Sequence, residues 1–173
     1  MIRKYNSKNK LRPTTSKVQL AIFSMIGHDN LIEKKFLDLY AGTGNVGMMA
    51  INYGVKLSCF VDSNPSFINK IKNISKEKKL LEKSKFLIAN CETQLHKLSD
   101  KFDYVFADPP YNEEPFEKIM YQLGKNQLVH KKSKIFFEHS NKIRLKEYYE
   151  DKMRIQTKNY GDTVISVFQR ADK

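Results

Sequence analysis

Residues 36–54 read FLDLYAGTGNVGMMAINYG, and the fold is decided there. A short apolar run, FLDLYA, ends in a glycine-rich turn, and the turn opens into NVGMMAINYG, an apolar helix closed by Gly54. Gly42, Gly44 and Gly47 satisfy GxGxxG, and Asp62 stands 20 residues after Gly42 at the end of the next apolar run, VKLSCFVD. Strand, glycine turn, helix, strand and terminal acid together form a nucleoside-binding fingerprint. The glycines let the backbone turn tightly and approach a ligand, and Asp62 can accept from both ribose hydroxyls. Two ligand classes carry such a ribose. A nicotinamide dinucleotide brings a pyrophosphate; S-adenosylmethionine brings an amino-acid end instead. Asp38, four residues before Gly42, suits an ammonium group and repels a pyrophosphate. A chain of 173 residues also leaves no second substrate domain of the kind a nicotinamide enzyme needs.

Outward from this unit the same alternation continues. SKVQLAIFSMIG has helical spacing, with Val18, Ala21, Ile22, Met25 and Ile26 on one face. NPSFINKIKNISKEKKL reads as a helix with proline in its first turn, SKFLIAN as a strand and CETQLHKL as a short helix. KFDYVFAD is a strand, EPFEKIMYQLGK a helix and KSKIFFEHS a strand. The tail, DKMRIQTKNYGDTVISVFQ, is two strands around a Tyr-Gly-Asp turn. Five strands of the βα kind followed by a hairpin predict an α/β fold. It has a seven-stranded, mostly parallel sheet with an antiparallel last strand and helices on both faces. Residues 1–16 are expected to form a basic extension and residues 17–173 the catalytic domain.

The stretch DPPY, Asp108 to Tyr111, leaves the fourth strand abruptly, since neither proline has an N–H for a ladder. Its place is the carboxyl end of a strand beside the first, where open α/β sheets bind ligands. A flat base with an exocyclic amine fits this corner. Asp108 would accept one N–H and the Pro109 carbonyl the other, which frees the amine lone pair. Tyr111 would stack on the base, and Pro109 and Pro110 would fix the geometry. Asn90, after the third strand, suits either an adenine edge or a helix N-cap. Glu138 and His139 end the fifth strand and read more readily as exposed polar surface than as substrate contacts.

Composition narrows the partner. Net charge is +12, and residues 1–28 hold six Lys/Arg and no acid. A polyanion, most simply nucleic acid, is the partner such a charge favours, although 26 lysines against 5 arginines also fit an AT-rich coding bias. The seven lysines between Lys70 and Lys85 read as a solvated helix face. Cys59 and Cys91 lie in apolar stretches and read as buried thiols of a reducing cytoplasm. No apolar run spans a membrane, and the histidines lack metal-ligand spacing, so no metal is expected.

Taken together, LRPTTSKVQLAIFSMI, FLDLYAGTGNVGMMAINYG, FVDSN, FDYVFADPPY and YGDTVISV resemble the RsmD-type 16S rRNA guanine-N2 methyltransferases, over nearly the whole chain and in order. DPPY alone is shared with DNA amino-methyltransferases; RPTT before an amphipathic helix and the closing YGDT are more specific. The resemblance implies a Rossmann-like class I methyltransferase fold, S-adenosylmethionine as donor, and a guanine N2 of 16S rRNA, in a small ribosomal subunit or assembly intermediate, as acceptor. It implies a donor pocket of Asp38, Tyr40, Gly42, Gly44, Asp62, Ser63, Asn90, Cys91 and Asp108. The catalytic corner would be Asp108, Pro109, Pro110 and Tyr111, with Arg12, Pro13 and Thr14 near it and Arg12, Thr14 and Tyr111 touching substrate. A monomer is expected. Two other readings remain at this stage: a DNA adenine-N6 methyltransferase, which would need a target-reading insert, and a non-catalytic RNA-binding assembly factor.

Overall fold

The computed structural model of the chain describes residues 16–110 and 115–171. Arg12, Pro13, Thr14 and Tyr111 lie outside the described residues, as does nearly all of the basic extension. The parallel strands are β1 (Lys35–Leu39), β2 (Leu57–Asp62), β3 (Ser84–Ile88), β4 (Phe102–Ala107) and β5 (Val129–Ser140). They are followed by β6 (Tyr148–Tyr149), β7 (Lys152–Tyr160) and β8 (Thr163–Arg170). The helices are α1 (Ser16–Ile26), α2 (Asn45–Asn52), α3 (Pro65–Glu77) and α4 (Phe116–Lys125).

One sheet runs in the order β3-β2-β1-β4-β5-β8-β7-β6. β1 to β5 are parallel, and β8 joins β5 antiparallel. Two details differ from the sequence expectation. An eighth strand, the two residues Tyr148 and Tyr149, pairs with the start of β7. It is too short to show alternation. CETQLHKL does not become an α-helix either: Asn90 opens a turn, and only Leu95–Lys97 winds into a single 3₁₀ turn.

The strands read as near-continuous apolar runs because both faces of the sheet are covered. On one face Phe36, Phe60, Phe106 and Phe136 pack under Val18, Ile22 and Phe23 of α1 and Ile68 and Ile71 of α3. On the other, Leu37, Val61, Phe137 and Phe168 pack against Phe116, Ile119 and Leu123 of α4. The lysines of α3 lie on its solvated side, as read from the sequence: Lys70, Lys72 and Lys76 are exposed while Ile68, Ile71 and Ser75 are buried. Asn64 caps α3, its side chain accepting from the Ser66 N–H at 2.9 Å, and Pro65 takes the first helical position. At the Tyr-Gly-Asp turn, Gly161 has φ 67° and joins β7 to β8 as a two-residue hairpin.

Candidate active site

Chain order turns back between β1 and β4, and the crevice at their carboxyl ends is the ligand position of such sheets. β1 reaches it through a strained corner. Tyr40 has φ 56°, a left-handed conformation costly for a residue with a side chain. Gly42 and Gly44 follow with φ 51° and 76°. Gly44 is the N-cap of α2, and a Cβ on it would stand 2.8 Å from Ile71 of α3. Gly47 is required for a different reason. Its Cβ would overlap the Phe60 ring and stand 2.8 Å from Ser58 Oγ and 3.0 Å from Asp38 Oδ2. The third glycine thus lets α2 settle on β1 and β2.

Two carboxylates tie the turn together. The Gly47 N–H donates to Asp38 Oδ2 at 2.9 Å, and the Gly42 N–H donates to Asp62 Oδ2 at 2.9 Å. Asp62 Oδ1 also accepts from the Asn64 N–H at 2.8 Å. Amides that could cradle a phosphate are therefore satisfied by acids, and a phosphate brought here would meet the negative charge of Asp62. Asp38 is 2% exposed, and burial pushes its carboxyl up to about 8, with the charges of Asp108 and Asp62 adding to the rise. Half-buried Asp62 and Asp108 flank it on β2 and just past β4. A positively charged ligand relieves this arrangement, and a pyrophosphate aggravates it. The donor set fits the cationic amino-acid end of S-adenosylmethionine and not a dinucleotide.

The third strand tip is partly committed. Asn90 Oδ1 accepts from the Glu92 N–H at 2.8 Å and the Thr93 hydroxyl at 3.2 Å, which closes an Asx turn and not the helix N-cap read from the sequence. The same residue is exposed. Tyr40 and Glu92 approach one another across the same rim, the Tyr40 hydroxyl lying 3.5 Å from Glu92 Oε1. Ser63 is exposed beside Asp62. Cys91 turns its thiol into the core, 3% exposed, where burial pushes it up to about 12. Only its backbone remains at the strand tip.

At the DPP corner Asp108 is half-buried, Pro109 buried and Pro110 exposed. Pro109 is thus wedged into the fold and holds the chain's exit angle. The next strand corrects the sequence reading: Glu138 is 3% and His139 5% exposed, neither of them surface residues. The sheet extends one more strand past them, with Glu138 opposite Ile165 and His139 opposite Val164 of β8. His139 is fixed between the Ser140 carbonyl at 3.0 Å and the Ser166 hydroxyl at 2.9 Å, with its ring edge on Phe116. Burial holds its imidazole below the usual range. Glu138 shares the face of Phe136, and that parity is the signal that could have marked it as inward-facing. Among the described residues no group of acids, histidines and cysteines could hold a metal ion.

Comparison with known proteins agrees with this geometry. The protein named "Putative rRNA methyltransferase YlbH" from Bacillus subtilis is 29% identical over 162 residues, 92% of this chain and 88% of its own length. "Ribosomal RNA small subunit methyltransferase D" of Buchnera aphidicola subsp. Baizongia pistaciae is 27% identical over 139 residues, 80% of this chain and 69% of its own. The solved structure "Putative methyltransferase yhhF" from Escherichia coli superposes with a TM-score of 0.83 at 17% identity, covering 95% of this chain and 92% of that one. The fold is accordingly the Rossmann-like class I methyltransferase fold. The family model described as "Conserved hypothetical protein 95" matches residues 3–169. The chain belongs to that family, the RsmD-type methyltransferases whose glycine turn, DPPY corner and YGDT hairpin it carries.

Proposed function

We propose that the protein transfers a methyl group from S-adenosylmethionine to the exocyclic N2 of a guanine in small-subunit rRNA. The observation that carries this reading is the placement of Asp62, Asp38 and Asp108 on the adjacent tips of β2, β1 and β4, beside the DPP corner. The named relatives supply the RNA class: they are rRNA methyltransferases by name, one of them of the small subunit.

When bound, S-adenosylmethionine supplies a methyl carbon on a sulfonium, a good leaving group that departs as a neutral thioether. The protein's task is alignment. Asp62 takes the ribose hydroxyls with its remaining lone pairs, and Asp38 balances the ammonium. Asn90 and Ser63 border the adenine and ribose, while Gly42, Gly44 and the backbone at Tyr40 and Cys91 let the donor lie close to the chain. Asp108 and the Pro109 carbonyl accept the two N–H bonds of the guanine amine, which turns its lone pair toward the methyl group. As the N–C bond forms, the amine proton passes to Asp108 or to water. The two prolines hold this geometry before substrate arrives. Tyr111 stacks on the base, which must leave its helix to reach the corner. Residues 1–16, with Arg12 and Thr14, contact RNA phosphates beside the site, and residues 17–173 form the catalytic domain. A monomer in the cytoplasm, acting on the small subunit or an assembly intermediate, completes the reading. Among the described residues no helix is long and apolar enough to cross a membrane.

The test is to incubate protein and donor carrying a labelled methyl group with small-subunit rRNA, with small subunits and with DNA, then to digest and separate the nucleosides. Label in N2-methylguanosine from RNA is expected. Label in N6-methyladenine of DNA, or none in any arm, would overturn the proposal.

A further inference from the structure

The DPP corner does not distinguish guanine from adenine, because either exocyclic amine satisfies Asp108 and the Pro109 carbonyl. The neighbouring strand does. Residues of β4 and β5 run in parallel register, with Phe106 opposite Phe136 and Ala107 opposite Phe137. One step further, Asp108 comes level with Glu138. Neighbouring strands lie about 4.8 Å apart, so the two carboxyl side chains start side by side at the carboxyl end of the sheet.

They also share a face. Phe36, Phe60, Phe106 and Phe136 pack in the core on the α1–α3 side. Two residues on from each, along its own strand, are Asp38, Asp62, Asp108 and Glu138. Across the sheet order β2-β1-β4-β5 the carboxyl groups of Asp62, Asp108 and Glu138 stand at the strand ends, with Asp38 on the same face two residues further back, opposite Phe60 and Phe106. Asp62 and Asp38 stand on the donor side of the corner. Glu138 stands on the other side, beyond Asp108, where the acceptor base must lie. It is 3% exposed on a twelve-residue strand held by both neighbours, so its position is set by the sheet rather than by a loop.

We infer that Glu138 selects guanine, its carboxylate accepting the N1–H that adjoins the N2 amine held by Asp108 and Pro109; this rests on the proposed reaction. Guanine presents N1–H and N2–H side by side on one edge, and two adjacent carboxylates accept both. Adenine and 2-aminopurine present a bare N1 lone pair there. Against Glu138 that lone pair meets a second acceptor, the kind of mismatch that binding sites reject strongly.

The experiment uses small-subunit rRNA joined from two pieces, with guanine or 2-aminopurine at the position found to be methylated. 2-Aminopurine keeps the nucleophilic amine and lacks only the N1 proton and the O6 oxygen. Wild type is expected to prefer guanine by about a hundredfold in kcat/KM. Glu138→Gln can turn an N–H toward the 2-aminopurine N1 or its oxygen toward the guanine N1–H, so the preference should fall at least about tenfold, with donor binding unchanged. Inosine, which keeps N1–H and O6 and loses the amine, checks that counts come from N2. Glu138→Ala should lose the preference as well, at lower activity with both bases. A preference in Glu138→Gln equal to that of wild type, in a variant that binds donor normally, overturns the inference and leaves the reaction standing. A Glu138→Gln protein that no longer folds or binds donor also overturns it, since the residue is then structural. No N2-methylguanosine with wild type overturns both.

Discussion

At the scale of single residues, Asp38 makes the sharpest prediction. Burial pushes its carboxyl up to about 8 in the folded chain, against about 4 for an exposed aspartate, so the fold favours the protonated form. That contribution is complete below about pH 4 and is lost as pH rises through about 8. Asp38→Asn should therefore gain stability over the wild-type chain as the pH is raised toward about 9, followed by thermal unfolding, while losing donor affinity. A cation beside Asp38 lowers its pKa, so donor binding at about pH 7 should release up to one proton. Calorimetry in buffers of different ionisation enthalpy reads this directly; heats independent of buffer would contradict it. Asp108→Asn should cut kcat by about a hundredfold or more, measured as single-turnover methyl transfer, because the amide cannot take up the amine proton and offers only one oxygen to its N–H. Asp38, Asp62 and Asp108 were legible as a group in the sequence: Asp38 precedes the glycine turn, Asp62 ends the next apolar strand 20 residues after Gly42, and Asp108 precedes the proline pair. Glu138 was read as surface despite its parity with Phe136, since a polar pair at a strand end is buried only where another strand lies beyond it. Burial of Cys91 was legible, because the residue lies in an apolar stretch.

At the scale of elements, α2 depends on Gly47. Gly47→Ala places a methyl group into the Phe60 ring and against Asp38, and it should cost about 1–3 kcal/mol in denaturant unfolding while weakening donor binding. An unchanged midpoint would show that α2 can move off the sheet without loss. Asn64→Ala removes the α3 cap and should cost about 1 kcal/mol, leaving catalysis near normal. The elements themselves followed from period and punctuation: among the described residues, the four α-helices and the seven longer strands lie where apolar spacing and glycine or proline marked them. Sequence reasoning failed where tertiary pairing decides. The two residues of β6 become a strand only because β7 lies beside them, and CETQLHKL, read as a helix, is held in a turn by the Asn90 side chain.

At the scale of the whole molecule, the proposed RNA contacts of a chain of net charge +12 should give an affinity that falls steeply as salt rises, with log Kd linear in log salt concentration. Filter binding between about 50 and 200 mM salt checks this; flat affinity would mean that the basic surface does not face RNA. Chain order and sheet order together place the switch point between β1 and β4, and every proposed donor contact lies within reach of it. The most direct measurement is a crystal structure of the protein with S-adenosylmethionine. The account predicts the ribose on Asp62, the ammonium toward Asp38 and the methyl group facing Asp108 and Pro109. Donor density elsewhere on the molecule, or none at saturating concentration, would contradict it.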